Sequence, residues 1–140
     1  MEQQKPVVTV GALIERSDGQ VLLIRTHKWR DMWGVPGGKI DYGETYFDAL
    51  RREVLEETGL EIYDIRRGPL QESIFSEEFF EPAHFVNIDF MVRTHGGEVV
   101  LNSEAQEFTW VSPQEALTYS LNRLTRVLVE YYLHEMQKKS

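Results

Sequence analysis

Three glutamates fall within one helical turn in a segment that reads GKIDYGETYFDALRREVLEETGL, from residue 38 to residue 60. Glu53, Glu56 and Glu57 are three and four residues apart, so a helix would place them on one face. Like charges at that spacing repel one another, and a carboxylate near a core-facing position needs a partner of opposite charge. Because carboxylate oxygens are hard ligands, the spacing predicts a site for Mg²⁺ or Mn²⁺.

The loop before these glutamates could bring a phosphate to the cation. Gly37 and Gly38 let the backbone approach a ligand closely, and Lys39 could reach phosphate oxygens. A divalent cation beside such a loop suggests hydrolysis at phosphorus, with metal-activated water as the nucleophile. The alternative from the residues alone is a solvated acidic helix that forms ion pairs with Arg51 and Arg52.

A helix over residues 44–58 is the element that must carry the glutamates. Gly59 suits a left-handed C-cap directly after it. Four residues at helical spacing mark the face that turns inward: Tyr46, Phe47, Leu50 and Val54. Glu53 and Glu57 border that stripe, and this is why their charge needs compensation.

The remaining segments predict strands and two more helices around this one. An Asp-Gly pair at 18–19 between two apolar runs is a hairpin signal. The predicted strands lie within residues 7–14, 21–26, 60–75, 85–94 and 108–111, and residues 33–38 are predicted to form a short strand that breaks into a glycine loop. One further helix is predicted to start at Ser112 and another to span residues 121–136. Because strands and helices are mixed along the chain, the sequence predicts an α/β or α+β sandwich.

Length and composition exclude several classes of protein. The 140 residues suit a single domain over 1–140, and the absence of cysteine excludes disulfides, cysteine-bound metals and thiol nucleophiles. A net charge of −8 repels a nucleic-acid backbone, so we expect no stable nucleic-acid binding. The longest apolar run, residues 7–14, is too short to span a bilayer, and the N-terminus shows no signal pattern. We therefore expect a cytoplasmic protein with no membrane partner.

The spacing in residues 38–60 closely resembles the signature of the Nudix (MutT-like) hydrolases. That signature is Gly, five residues, Glu, seven residues, Arg-Glu, an apolar residue, any residue, Glu-Glu, any residue, Gly and an apolar residue. The chain matches every position with Gly38, Glu44, Arg52, Glu53, Val54, Glu56, Glu57, Gly59 and Leu60. The resemblance implies the Nudix fold, an α/β/α sandwich with a mixed β-sheet. In that fold residues 38–60, the Nudix box, form a loop, a helix and a loop.

The resemblance also implies roles for residues inside the box. The implied ligands of a divalent cation are three glutamates and one glycine carbonyl: Glu53, Glu56, Glu57 and Gly38 (or Gly37). The cation would be Mg²⁺, with Mn²⁺ as the alternative. Glu44 and Arg52 would pair or hydrogen-bond with those carboxylates and hold them in position. The reaction implied is in-line attack by metal-activated water on a diphosphate linkage.

One further residue of the box, Lys39, and several residues outside it complete the predicted site. The general base is either a box glutamate or Glu104, which precedes the strand predicted at 108–111; a solvated loop acid is the alternative for Glu104. The predicted substrate-binding residues are Arg25, Lys39, Asn87, Asp89 and Asn122. The plainer alternative for Arg25 is a surface ion pair, and for Asn122 it is a helix-end role. For Asn87 and Asp89 it is an ordinary half-exposed position on a strand.

The substrate class follows from the resemblance by elimination. Nudix proteins hydrolyse a nucleoside diphosphate linked to another group. ADP-ribose pyrophosphatases tend to carry a proline about 15 or 16 residues after the box, where this chain has Phe75 and Ser76. Since other subfamily signatures are also absent, we expect a nucleoside triphosphate, cleaved to nucleoside monophosphate and diphosphate. A nucleotide-sugar or ADP-ribose type pyrophosphatase is the alternative, and a non-catalytic nucleotide-sensing Nudix domain is another. We expect a monomer or a homodimer.

Overall fold

Residues 4–139 are described by a computed structural model, in which seven strands form one sheet with helices packed against it. The strands are β1 (Val7–Glu15), β2 (Val21–Arg25), β3 (Trp33–Gly34), β4 (Gly37–Lys39), β5 (Tyr63–Ile74), β6 (His84–Arg93) and β7 (Glu107–Val111). The helices are α1 (Tyr46–Thr58), α2 (Pro113–Ala116) and α3 (Arg123–Lys138), and a 3₁₀ turn covers His27–Trp29. This is the predicted α/β class.

The sheet is mixed because β1 runs parallel to β6 while its pairings with β2 and β4 are antiparallel. The strand order is β3, β2, β1, β6, β5, with β4 also paired to β1 and β7 also paired to β2. The β1–β6 register sets Gly11 opposite Asp89, and the β1–β4 register sets Gly11 opposite Gly37. These three residues therefore lie in one row across three strands.

Alternate residues of the inner strands pack against helices on opposite faces of the sheet. The buried residues of the face toward α1 include Val10, Ala12, Phe90, Leu50 and Val54. Those of the face toward α3 include Leu13, Met91, Leu128 and Val129. The predicted α/β/α layering around a mixed sheet is confirmed.

Residues 33–38 differ from the prediction in one respect: the short strand is present, but the glycines predicted as a loop begin a second short strand. β3 pairs with β2, β4 pairs with β1, and Pro36 lies between them. Pro36 has no N–H and cannot continue a ladder as a donor, whereas its carbonyl accepts the N–H of Ala12 (2.9 Å). The chain therefore crosses from β2 to β1 within this segment and brings β4 next to α1.

Both long helices begin later than the sequence predicts, because a polar side chain caps each of them. The Thr45 hydroxyl accepts the backbone N–H of Asp48 (3.1 Å), and α1 begins after it. Asn122 does the same for the N–H of Thr125 (2.9 Å) at the start of α3. Glu44 consequently lies before the helix rather than in its first turn.

The apolar stripe predicted for α1 is fully buried only in its second half. Leu50 and Val54 are completely covered. Tyr46 and Phe47 pack their rings beside Phe90, with centroids 5.6 and 5.8 Å away, and keep their outer sides exposed. The first turn of α1 therefore covers the core only in part.

Across residues 4–139, no helix combines the length and the apolar character needed to cross a membrane.

Replacing Thr45 by alanine is expected to lower the free energy of unfolding by about 1 kcal/mol, because the N-cap bond to Asp48 is lost. Chemical denaturation followed by circular dichroism measures the change. Ser103→Ala, in an exposed turn, is the control and should change this free energy by less than about 0.5 kcal/mol. Equal stability of Thr45→Ala and the wild type would contradict the capping role.

Candidate active site

Two glycines of β4 lie against carboxylates of α1. The Gly37 N–H donates to Glu57 Oε2 (3.0 Å). A Cβ atom on Gly38 would lie 2.5 Å from the carboxyl group of Glu53, and one on Gly37 would lie 2.0 Å from the carbonyl oxygen of Val10. Both distances are shorter than any real contact of a Cβ atom. Without a side chain, Gly38 can lie against the Glu53 carboxyl group of α1, and Gly37 can lie against the backbone of β1.

Arg52 joins the carboxylates of the box into one network. Its Nε and Nη2 donate to the two oxygens of Glu44 (2.8 and 2.9 Å), and its Nη1 donates to Glu53 (2.9 Å). Nη1 also lies 3.4 Å from Glu56 Oε2, and Nη2 donates to the Lys39 carbonyl (3.0 Å). One guanidinium thus connects the glycine loop, the segment before α1 and the helix itself, which its planar fork of donors permits.

Glu44 is held ionised by this network. Hydrogen bonds from the Arg52 guanidinium and from the backbone N–H of Asp41 (3.0 Å) lower the pKa of Glu44 to about 2. The same pairing raises the pKa of Arg52 above its usual value. These are the contacts that a positioning role for Glu44 and Arg52 requires, and the role itself stays a prediction.

Glu53 and Glu57, one helical turn apart, form a pair of covered carboxyl groups. Glu57 is only 2% exposed, whereas the Glu56 side chain is 54% exposed. Burial raises the pKa of Glu57 to about 9; the Lys28 ammonium opposes this shift and the Glu53 carboxylate adds to it. Burial also raises the pKa of Glu53. Without further positive charge nearby, the pair therefore favours keeping a proton.

This pair has the chemistry that a divalent cation would satisfy. In the part of the chain from 4 to 139, no three acidic or histidine side chains are arranged to hold an ion as they stand. Glu53 and Glu57 nevertheless place hard oxygen donors beside a glycine backbone, with too little positive charge to balance them. A divalent cation supplies that missing charge, so the residues fit Mg²⁺. The ligand set that includes Glu56 and Gly38 stays a prediction.

A cavity of about 960 Å³ opens beside the same glycine loop. α3 covers the part of its sheet face that carries Leu13 and Met91, and the rest of that face forms the floor of the cavity. The floor consists of alternate residues of β1 and β6: Val7, Thr9, Gly11, Phe85, Asn87 and Asp89. Gly37 and Gly38 also line the cavity, so it shares the glycine loop with the carboxyl pair.

The walls of the cavity are aromatic and basic. Their aromatic residues are Trp29, Phe79 and Phe80, and their basic residues include Lys28, Arg30 and Lys39. The Phe80 N–H donates to the Lys28 carbonyl (2.8 Å), which joins two wall segments that are distant in sequence. Aromatic faces stack on planar rings, and ammonium and guanidinium groups attract anionic oxygens. The cavity therefore suits a ligand with a planar ring and phosphate groups.

A chain of hydrogen bonds fixes the polar side chains of the floor. Thr9 Oγ1 donates to Asn87 Oδ1 (2.8 Å), and Asn87 Nδ2 donates to Asp89 Oδ1 (2.7 Å). Gln71 Nε2 donates both to Asp89 Oδ2 (2.7 Å) and to the Leu124 carbonyl (2.8 Å). Burial raises the pKa of Asp89 to about 7, although the two amide bonds oppose the shift. The Asp89 carboxyl group is thus held in one orientation.

The structure brings most of the predicted substrate-binding residues together. Those that line the cavity are Lys39, Asn87, Asp89 and Asn122. Arg25 does not line it and instead forms ion pairs with Glu107 (2.7 Å) and Asp31 (3.4 Å), the surface alternative considered for it. Asn122 borders the cavity while its side chain caps α3, so the helix-end alternative for it is present as well.

Glu104, the predicted base outside the box, lies in an exposed segment before β7. Its Oε2 is 4.0 Å from Lys28 Nζ, and its charge contributes to raising the pKa of Glu57. The structure therefore places Glu104 within electrostatic range of the carboxyl pair, and its role as base stays a prediction.

Two residues at the site, Lys28 and Gln71, were not predicted from the sequence. Lys28 approaches Glu57 only through the fold, and a single lysine in a turn carries no spacing signal. Gln71 supports Asp89 from the neighbouring strand, where it pairs with Asn87 in the β5–β6 register. That register contains two irregularities, which the sequence does not reveal, so the pairing could not be derived from alternation alone.

Comparison with known proteins gives a consistent result. A family model for the NUDIX domain matches residues 5–132. The nucleoside triphosphatase NudI of Escherichia fergusonii is similar to this chain, with 29% identity over 128 residues that cover 84% of the chain and 91% of the relative. NudI of Salmonella agona is 30% identical with the same coverage.

Solved structures agree with the sequence relatives. The MutT NUDIX hydrolase from Burkholderia pseudomallei is 26% identical and superimposes with a TM-score of 0.76, covering 91% of this chain and 98% of that one. The E. coli ORF135 protein is 29% identical with a TM-score of 0.75, covering 94% of this chain and 91% of that one. The similarity therefore extends well beyond residues 38–60.

Replacing Arg52 by lysine is expected to weaken Mn²⁺ binding about 10- to 100-fold, because one ammonium cannot keep both the bidentate contact to Glu44 and the contact to Glu53. A Mn²⁺ titration followed by electron paramagnetic resonance measures the dissociation constant. Arg51→Lys is the matched control, since Arg51 is the exposed neighbour on the same helix, and its affinity should equal that of the wild type. Unchanged affinity in Arg52→Lys would remove Arg52 from its positioning role.

Proposed function

Since the chain belongs to the Nudix family and is a pyrophosphohydrolase, we propose that its substrate is a nucleoside triphosphate. The products would be a nucleoside monophosphate and diphosphate. Nudix hydrolases generally need a divalent cation, and Mg²⁺ is the cation proposed for this protein. The relatives named nucleoside triphosphatase support this substrate class.

The observation that carries the proposal is the position of the cavity. Its volume of about 960 Å³ is within the range of small-molecule and cofactor sites. Its aromatic walls can hold a base, and its border with the glycine loop adjoins the carboxyl pair of Glu53 and Glu57. A ligand with its base on the floor would therefore direct its phosphates toward the box.

Glu53 and Glu57 are the residues proposed to hold Mg²⁺, together with Glu56 and the Gly38 carbonyl that the family signature indicates. When bound, the cation neutralises charge on phosphate oxygens and makes a water molecule more acidic. Arg52 and Glu44 keep the carboxylates oriented through the contacts between them. The protein thus supplies a fixed set of oxygen donors rather than a flexible acidic surface.

Basic residues around the cavity are proposed to bind the phosphate groups. Lys28, Arg30 and Lys39 all line the cavity, and Lys28 also faces Glu57 and Glu104. Lys28 can therefore offset negative charge both on a substrate and on the acids. Glu104 is the proposed base, taking a proton from the attacking water at its carboxylate oxygen.

Three expectations from the sequence remain predictions: one domain over 1–140, a monomer or homodimer, and a cytoplasmic location.

A panel of nucleoside triphosphates, nucleotide sugars and ADP-ribose, incubated with Mg²⁺, tests the proposed substrate. Product analysis by ion-pair chromatography should show monophosphate and diphosphate from at least one triphosphate. Glu57→Gln keeps the size of the side chain and an acceptor for Gly37, and should cut turnover about 100-fold or more. Glu98→Gln, at an exposed glutamate, is the control with normal turnover. Turnover confined to nucleotide sugars or ADP-ribose would contradict the proposal.

Replacing Glu104 by glutamine is expected to lower kcat about 100-fold or more, because a general base contributes roughly that factor. Steady-state kinetics on the best triphosphate measures kcat, and the melting temperature should remain that of the wild type because the side chain is exposed. If Glu104→Gln keeps more than half of the wild-type kcat, the base lies elsewhere.

A further inference from the structure

Asp89 lies about as far from the glycine loop as a nucleobase lies from a phosphate group of the same nucleotide. Gly37, Gly11 and Asp89 occupy one row across β4, β1 and β6. Two strand spacings separate the first from the last, which is about 10 Å. With a phosphate group at Gly37, this interval leaves room for the sugar, and the base then reaches the floor at Asp89.

The absence of a side chain at Gly11 lets the Asp89 carboxyl group extend into this interval. A Cβ atom on Gly11 would lie 2.7 Å from Asp89 Oδ1. The carboxyl group therefore occupies the space that a side chain at position 11 would take, on the side of β6 toward the box. Although only 2% of Asp89 is exposed, it lines the cavity and is the acidic group of the floor.

The hydrogen bonds of the floor leave it rich in acceptors. Gln71 Nε2 uses both of its N–H groups, and Asn87 Nδ2 uses one of its two on Asp89. An ionised carboxylate can accept about four hydrogen bonds, and Asp89 accepts one at each oxygen from these amides. What Asn87 and Asp89 offer to a ligand is therefore the remaining acceptor capacity of Asp89 and one N–H of Asn87.

We propose that Asp89 is a specificity-determining residue that accepts a hydrogen bond from the exocyclic amine of the substrate's nucleobase. The preferred substrates are then nucleotides of adenine, cytosine or guanine, whose bases carry an amine. The inference rests on the proposed function and adds the chemical class of the base. Above its pKa of about 7, the ionised Asp89 carboxylate would form a charge-assisted bond with the amine, which is stronger than a bond between neutral groups.

Bases without an amine fit this floor poorly. Uracil and thymine present one ring N–H between two carbonyl oxygens. If that N–H donated to Asp89, the free N–H of Asn87 could donate to one carbonyl oxygen. The other carbonyl oxygen would face an acceptor-rich surface without a partner. An unpaired polar group of this kind costs binding free energy, and this is how a site rejects a ligand of the wrong pattern.

The first test uses pairs of nucleoside monophosphates that differ by one amine: adenosine with purine riboside, guanosine with inosine, and cytidine with 2-pyrimidinone riboside. Isothermal titration calorimetry on the intact protein measures their affinities without turnover. In the pair that binds most tightly, removing the amine should weaken binding about 10- to 100-fold. If no pair differs by more than about 3-fold, the proposal is wrong, whatever the protein hydrolyses.

Asp89→Asn provides the second test, because it keeps the shape of the side chain but replaces one acceptor oxygen by an NH2 donor. In this variant, removing the amine from the ligand should weaken binding only about 3-fold or less. The affinity for the amine-free ligand should stay near that of the wild type. Asp31→Asn, at an exposed carboxylate of the same cavity, should keep the wild-type ratio of the affinities for the ligands with and without the amine. Equal weakening of both members of a pair by Asp89→Asn would assign Asp89 a structural role and overturn the proposal.

The two proposals fail in different ways. Amine discrimination in binding, without hydrolysis of any triphosphate, would leave Asp89 as the reader of the base and remove the proposed reaction. Hydrolysis of triphosphates without amine discrimination would keep the reaction and remove the role of Asp89.

Discussion

Two acidic side chains kept out of water on one helix are the constraint around which this protein is built. Glu53 and Glu57 cannot both be ionised there without compensation, and the nearby groups supply only part of it. Arg52 satisfies one of them, and the Gly37 N–H satisfies an oxygen of the other. The glycines and the arginine are therefore parts of one electrostatic arrangement, which a divalent cation would complete.

A second constraint on the site is that α1 and α3 cover their faces of the sheet to different extents. α1 packs over the central strands, whereas α3 leaves the first half of β1 and β6 open. The parallel register of those strands then sets Asp89 beside Gly11, and Gly11 beside the glycine loop. The floor of the cavity and the glycine loop are thus connected by strand pairing.

Features that depend on residues close together in the sequence could be predicted, whereas contacts between distant segments could not. The C-cap at Gly59 (φ 75°), the amphipathic α1 and the spacing of the box follow from neighbouring residues, so the sequence indicates them directly. The strand at Gly37–Lys39 was missed because its glycines were interpreted as a loop, and its partner β1 is distant in sequence. Arg25 was predicted to bind the substrate, whereas its ion pairs with Glu107 and Asp31 form only when the chain folds and could not be predicted from the sequence. Contacts made across strands, such as that of Gln71 with Asp89, remain beyond any local pattern.

Gln71 has a second partner, the Leu124 carbonyl in the first turn of α3. One amide therefore anchors a helix and orients the carboxyl group at the bottom of the cavity. A change at position 71 alters both at once, so substitutions at 71 and 89 cannot have independent effects. Evolution of a new ligand preference in this scaffold would accordingly be epistatic, with the order in which those two positions mutate deciding which intermediates still fold.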